Sequence, residues 1–123
     1  MKIVSTNNAP GAIGPYSQAV IAGGMVYTSG QIAIDHATGN MVEGGVREQT
    51  EQVCKNVKAL LEASGTSIEK VVKTTCFLAD MADFAAFNEI YAGYFTGKPA
   101  RSCVAAKTLP KGALVEVDTV CLL

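Results

Sequence analysis

The last ten residues of the chain are the segment that most restricts its fold. Residues 114–123 are rich in β-branched and large apolar side chains, which is typical of a β-strand. Apolar side chains occupy both faces of this strand: Val115, Val117, Cys121 and Leu123 on one face and Leu114, Val120 and Leu122 on the other. Each buried Val or Leu contributes roughly 1.5–3 kcal/mol, and an uncovered face would leave a large apolar patch in water. We therefore expect a sheet that is covered on both faces.

Two helices and several further strands are predicted before this segment. Apolar side chains recur at helical spacing over residues 46–64, and a second stripe follows Asp80, whose carboxylate is suited to cap a helix. That second stripe consists of Phe84, Phe87, Tyr91, Tyr94 and Phe95, and we interpret it as core. Gly23-Gly24 is a strong signal for a two-residue hairpin. The predicted strands lie at 2–5, 18–22, 25–32, 71–79, 99–104 and 114–123.

The resulting order, β-β-β-α-β-α-β-β, predicts an α+β fold with a mixed sheet. Two helices cover only one face of such a sheet. We therefore expect a homo-oligomer whose subunits bury their open sheet faces against one another. At 123 residues, the chain is expected to be a single domain, 1–123.

Composition argues against several classes of protein. The net charge is −1, with 10 Lys and Arg against 11 Asp and Glu, so the basic excess of a nucleic-acid-binding protein is missing. No apolar run approaches the roughly 20 residues of a membrane span, and the N-terminus does not resemble a signal peptide. The four cysteines are widely spaced, which favours reduced thiols in a cytoplasmic protein. The single histidine, His36, is predicted in a surface turn, and no cluster has metal-ligand spacing.

The segment 99–104 contains the most unusual pair of side chains. Arg101 and Cys103 share one face of a predicted strand, and an arginine is costly to bury unless it meets an acid or an anion. A structural salt bridge is the alternative to a ligand site. If this strand formed a hairpin with 114–123 about the turn at 108–113, Glu116 would lie on the same face, whereas a one-residue slip would reverse it.

Six regions together carry a resemblance to the RidA family, also called the YjgF/YER057c/UK114 family. They are APGAIGPYSQA at 9–19, YTSGQI at 27–32, VKTT at 72–75, DFAAFNEIY at 83–91, PARSCV at 99–104, and LPKG with VEV at 109–117. The resemblance covers nearly the whole chain. It implies a chorismate-mutase-like α+β fold and a homotrimer with three clefts between subunits, its sheets facing inward.

The resemblance also implies an activity and the residues that carry it. The expected function is a cofactor-free deaminase that hydrolyses 2-imino acids to 2-keto acids and ammonia, with no metal, no membrane and no nucleic-acid partner. Some relatives have been described as translation inhibitors or endoribonucleases, and a non-catalytic ligand-binding or chaperone-like module is a further alternative. The matching positions are Arg101 for the substrate carboxylate, Glu116 for the attacking water, Cys103 as a cleft-lining residue, and Tyr16, Ser29, Gly30 and Asn88 as the remaining cleft residues.

The residues themselves are consistent with these implied roles. Hydrolysis of an imine needs a fixed anion anchor and a group that moves protons. Cys103 is a weak candidate nucleophile because no histidine lies near it in the sequence to activate the thiol. The segment 96–98 is shorter than in some members of the family and is expected to shape the mouth of the cleft.

Overall fold

A computed structural model describes all residues, 1–123, as a mixed α+β structure. The strands are β1 (Lys2–Val4), β2 (Ala19–Ala22), β3 (Met25–Thr28), β4 (Ile34–Asp35), β5 (Asn40–Met41), β6 (Val71–Leu78), β7 (Ala100–Ala105) and β8 (Val115–Leu122). The helices are α1 (Val46–Ala63) and α2 (Phe84–Tyr94). Six strands form one sheet in the order β1-β2-β3-β8-β6-β7, and β4 and β5 form a separate hairpin. All neighbours in the large sheet are antiparallel except β6 and β7, which are parallel.

Both predicted helices are present, close to their expected bounds. Gly65 has φ +92, the left-handed conformation expected of a glycine that follows a helix. Asp80 caps the 3₁₀ turn Met81–Asp83 by accepting a 2.9 Å hydrogen bond from the Ala82 N–H, and α2 begins at Phe84. The Gly23-Gly24 hairpin is confirmed, with φ +58 and +76 at the two glycines.

The third strand is shorter than predicted. β3 ends at Thr28, and the chain rejoins β8 only at Gln31, through reciprocal backbone hydrogen bonds with Val117 of 2.8 and 3.1 Å. Ser29 and Gly30 therefore leave the ladder beside β8. The following segment, in which no strand was predicted, contains the short β4–β5 hairpin.

The hairpin considered between 99–104 and 114–123 does not form. β7 lies at the edge of the sheet and pairs only with β6, whereas β8 lies between β3 and β6. The cause is the helix α2, because a strand, a helix and a second strand in succession form a crossover that makes the two strands parallel. Residues 106–114 then carry the chain past the end of β6 to its other side.

The two helices cover one face of the sheet, and the core lies between the helices and that face. Side chains from α1, α2 and the central strands are fully buried there, among them Val53, Leu60, Phe87 and Val117. The opposite face has no helix over it and exposes apolar side chains: Ile3 (61 %), Tyr27 (46 %), Val104 (49 %) and Leu122 (48 %). Neither α-helix combines the length and apolar character that a membrane span requires.

Candidate active site

Glu116 lies on the uncovered face of the sheet, in the wall of a pocket of about 220 Å³. β8 alternates buried and half-buried residues, and Glu116 belongs to the half-buried set with Asp118 and Val120. The pocket is bounded by the N-terminal loop, by the segment after β3 and by the turn before β8, and its lining includes Ile13, Tyr16, Gly30, Pro110, Lys111 and Glu116. The site therefore combines an acid with mostly apolar or neutral walls.

Gly30 packs directly against the Glu116 carboxyl group. A Cβ atom at position 30 would lie 2.5 Å from Oε2 and 2.8 Å from Cδ of Glu116. These distances are well below van der Waals contact. A glycine at position 30 therefore leaves the space that the carboxyl group occupies.

The N-terminal loop brings Tyr16 to the same pocket. Its hydroxyl oxygen accepts a 3.3 Å hydrogen bond from the Ile13 N–H, and its side chain is half exposed. The Ser29 hydroxyl donates a 2.6 Å hydrogen bond to the Ser17 carbonyl, so it ties this loop to the segment that carries Gly30. Tyr16 and Gly30 thus lie with Glu116, and Ser29 lies beside Gly30.

Gln18 is a positioning residue that the sequence analysis missed. Its side chain is buried, donates to the carbonyls of Thr6 (3.1 Å) and Pro10 (2.8 Å), and accepts a 2.7 Å hydrogen bond from the Thr6 N–H. It therefore ties Thr6 and Pro10, in the first part of the loop that precedes Tyr16, to the chain just before β2. The available signal was the position of this polar residue, between Ser17 and Ala19, at the start of an otherwise apolar strand.

Two carboxyl groups share this face of β8. Burial, and secondarily the charge of Asp118, raises the pKa of Glu116 above its usual value. Burial also raises the pKa of Asp118, while a hydrogen bond with Thr75 partly offsets this effect. The Glu116 carboxyl group is therefore a better proton acceptor than an exposed glutamate.

Arg101 lies on the opposite, helix-covered face, against α2. Its Nη1 donates a 2.7 Å hydrogen bond to Oδ1 of Asn88. The single salt bridge of the chain joins Arg47 to Glu89 on the surface, so Arg101 has no carboxylate partner within the chain. The alternative of a structural salt bridge within the chain is therefore excluded, and the guanidinium remains available to an external anion.

Cys103 follows Arg101 on the same face of β7. It is half-buried, packs against the core, and stands opposite Cys76 in the register of β6 and β7. Burial raises the pKa of the Cys103 thiol, and the nearby Arg101 charge offsets this only in part. The thiol form is therefore favoured, which weakens the side chain as a nucleophile.

The predicted site residues thus form two separate groups within one chain. Tyr16, Ser29, Gly30 and Glu116 lie on one side, whereas Asn88, Arg101 and Cys103 lie on the other. The expectation that Glu116 points the same way as Arg101 and Cys103 is wrong for a single chain. The physical reason is the register, since Cys103 stands opposite Cys76, which in turn stands opposite Val117 rather than Glu116. No three His, Cys, Asp or Glu side chains cluster closely enough to hold a metal ion.

Known proteins resemble this chain over almost its whole length. Residues 6–123 match the family model described as endoribonuclease L-PSP. The RutC family protein y4sK of Sinorhizobium fredii is 51 % identical over 118 residues, which are 95 % of this chain and 94 % of that protein. The 2-iminobutanoate/2-iminopropanoate deaminase of Mus musculus is 48 % identical over 120 residues, 97 % of this chain and 89 % of the deaminase.

A solved structure agrees with this assignment. The crystal structure of E. coli TdcF with bound serine is 41 % identical and superimposes with a TM-score of 0.95, covering 100 % of this chain and 99 % of that chain. The two chains therefore share their fold over almost their whole length. The chain belongs to the endoribonuclease L-PSP family, which is the YjgF/RidA family.

Proposed function

We propose that the chain is an imine deaminase that hydrolyses 2-imino acids, such as 2-iminobutanoate and 2-iminopropanoate, to 2-keto acids and ammonia. The observation that carries the proposal is the unpaired guanidinium of Arg101, held by Asn88 with hydrogen-bond donors left free for a carboxylate. The mouse relative, named a 2-iminobutanoate/2-iminopropanoate deaminase, supports this choice of substrate. The serine bound to the E. coli relative supports a ligand that carries a carboxylate.

The proposed reaction needs an anchor, a water molecule and one group that moves protons. Arg101 binds the substrate carboxylate, and Glu116 accepts a proton from a water molecule that attacks the imine carbon. Delivery of that proton to the imine nitrogen gives a neutral carbinolamine. The hydroxyl proton of the carbinolamine then passes to the nitrogen through Glu116, the C–N bond breaks, and ammonia leaves as the carbonyl forms. One water is consumed, and no electrons are exchanged with another reactant. Tyr16 and Ser29 supply hydroxyl groups, Gly30 gives room to Glu116, and Cys103 lines the cleft.

A neighbouring copy completes the proposed cleft. Arg101 and Glu116 occupy opposite faces in one chain, so one substrate meets both only where two subunits contribute one group each. The exposed apolar side chains of the uncovered face support such an assembly, because a second and third copy remove them from water. We infer a homotrimer of single-domain subunits, 1–123, with three clefts between subunits and the open sheet faces inward. A cytoplasmic location remains part of the proposal.

The decisive experiment measures ammonia release from freshly generated 2-iminobutanoate, with and without the protein. Acceleration over spontaneous hydrolysis that is lost in Glu116→Gln supports the deaminase. Binding of 2-ketobutyrate without acceleration would instead indicate a ligand-binding module. Cleavage of a single-stranded RNA in the parallel reaction, without imine turnover, would favour the endoribonuclease activity for which the family is named.

A further inference from the structure

Three side chains on one face of α2 contact the guanidinium of Arg101. Phe84, Asn88 and Tyr91 follow one another at i, i+4 and i+7, a spacing that places them on the same face of a helix. The Cζ atom of Arg101 lies 5.3 Å from the ring centroid of Phe84 and 4.9 Å from that of Tyr91. Asn88, between the two rings, accepts the hydrogen bond from Nη1 at 2.7 Å. The stripe was interpreted as core from its sequence pattern, but two of its rings also contact this cation.

The chemistry of these contacts determines which part of the guanidinium remains free. An aromatic face attracts a cation within about 6 Å of the ring centroid but supplies no lone pair for an N–H in the guanidinium plane. Arginine carries five N–H donors in a fixed plane, and Asn88 accepts the only hydrogen bond that the guanidinium makes within the chain. The rings therefore restrict how the plane is oriented without consuming the donors that a carboxylate needs.

Tyr91 is itself held rigidly. Its hydroxyl shares a buried 2.7 Å hydrogen bond with Thr74, which stands opposite Arg101 in the register of β6 and β7. Its ring stacks on Phe95, with centroids 4.4 Å apart and planes 23° apart, and also contacts Phe87 at 5.4 Å. The ring beside Arg101 is thus attached both to the helix and to the neighbouring strand. Phe84, at the first turn of α2, is half-buried.

We propose that Phe84 and Tyr91 are positioning residues that act through Arg101, fixing its guanidinium plane so that the free N–H edge faces an incoming carboxylate. The identity of the ligand as a 2-keto or 2-imino acid rests on the proposed function. The restricted orientation of the guanidinium does not depend on the proposed function, because every contact that produces this orientation lies within one chain. Loss of a ring frees the side chain to rotate, and part of the binding free energy is then spent on ordering it again.

The principal variant is Phe84→Leu, which removes an aromatic face at a half-buried position. We expect 2-ketobutyrate to bind roughly threefold to tenfold more weakly and KM for the imine to rise similarly, with kcat changed less than about twofold. Tyr91→Phe loses the hydroxyl bond to Thr74 but keeps the ring and its stacking on Phe95, so its binding is expected within about twofold of the parent. Tyr94→Leu is the matched control, because Tyr94 is an α2 aromatic residue that bonds Glu51 and not Arg101.

Two further measurements separate action through Arg101 from a general structural effect. In an Arg101→Gln background, Phe84→Leu should cause no additional loss of binding, since the cation is gone. ¹⁵N NMR of the unliganded protein should show restricted rotation of the Arg101 guanidinium in the parent and in Tyr94→Leu, and faster rotation in Phe84→Leu. An equal loss of binding in the Arg101→Gln background, or unchanged rotation in Phe84→Leu, would overturn the inference.

Failure of the proposed function gives a different result. A parent protein that binds 2-ketobutyrate but does not accelerate imine hydrolysis contradicts the deaminase and leaves the binding tests in force. A parent that binds no keto acid contradicts the deaminase as well, and the NMR comparison then decides the positioning role alone.

Discussion

Arg101 and Glu116 lie on opposite faces of one sheet, Arg101 against α2 and Glu116 against Gly30 on the face without helices. A second pocket lies beside Arg101, and its lining includes Asn88, Tyr91, Phe95 and Lys98. This pocket and the pocket beside Glu116 share no residue. A small ligand bound at one therefore does not reach the other within the same chain. In a ring of subunits joined head to tail, however, each interface brings together two different surfaces of the chain. This geometry makes the following variants complementary.

Mixed oligomers of Arg101→Lys and Glu116→Gln should be more active than either variant alone at imine concentrations below KM, where the weaker binding of Arg101→Lys limits its rate. In the proposed trimer, each cleft draws the two residues from different subunits, so random 1:1 assembly restores both parental residues in about a quarter of the clefts. The measurement is imine hydrolysis after co-refolding of the two variants. Each variant refolded alone is the control. Mixed oligomers that are demonstrably formed but no more active than Arg101→Lys refolded alone would contradict a shared cleft.

The two variants should also fail in different ways. Arg101→Lys keeps the charge and loses the planar fork, so 2-ketobutyrate should bind at least about tenfold more weakly, the factor that 1.4 kcal/mol represents. Glu116→Gln keeps the shape and loses the proton acceptor, so kcat should fall by about 10²–10⁴ while the keto acid still binds. Calorimetry of 2-ketobutyrate binding beside steady-state kinetics tests both. Normal turnover in Glu116→Gln, or parental affinity in Arg101→Lys, would refute this division of roles.

Local sequence patterns predicted the helices and strands better than they predicted which strands pair in the sheet. The apolar periodicity of α1 and the paired glycines at 23 and 24 depend on neighbouring residues only, and both predictions are confirmed. The partner of β7 depends on the chain path through α2, which residue alternation does not report. The signal was nevertheless present, because a strand–helix–strand order favours a parallel pair over a hairpin with β8.

The candidate site was predicted in its residue types but not in its arrangement. Family motifs pointed to Arg101 and Glu116. The face of the sheet on which each side chain lies depends on the register of its strand, and a one-residue shift in register reverses that face. The contact between Gly30 and Glu116 arises because β3 ends at Thr28, three residues before the chain rejoins β8 at Gln31. No local pattern specifies such an early departure from a ladder.

Gly30→Ala should impair turnover far more than binding. The added Cβ would lie 2.5 Å from Oε2 of Glu116, so the carboxyl group must move. A displacement of about 1 Å at a reacting group can cost about 10²-fold, and we expect a loss of kcat of that order with keto acid binding nearly unchanged. Gly11→Ala is the matched control, because Gly11 lines the same pocket and a Cβ there meets nothing within 4 Å. Equal activity in both variants would contradict a role for the close contact at Gly30.

Cys103→Ser should retain much of the deaminase rate. The raised pKa of the Cys103 thiol opposes thiolate formation, and a hydroxyl group fills nearly the same volume at this half-buried position. The rate should stay within about tenfold of the parent, because no nucleophile is removed. Mass spectrometry of the parent during turnover is the second readout. A covalent adduct on Cys103 would establish it as the nucleophile instead.

The acid limb of kcat/KM should lie above the ordinary glutamate pKa of 4.5 and should respond to Asp118. Glu116 must be ionised to accept a proton, so activity falls as the pH drops through its pKa. Burial raises that pKa first, and the Asp118 charge raises it further. Asp118→Asn removes the second contribution, so the limb should move to lower pH while activity on the plateau is retained. Glu62→Gln, on the exposed surface of α1, is the control and should leave the limb in place. A shift to higher pH in Asp118→Asn, or a limb that remains in Glu116→Gln at the same pH, would show that another group is titrating.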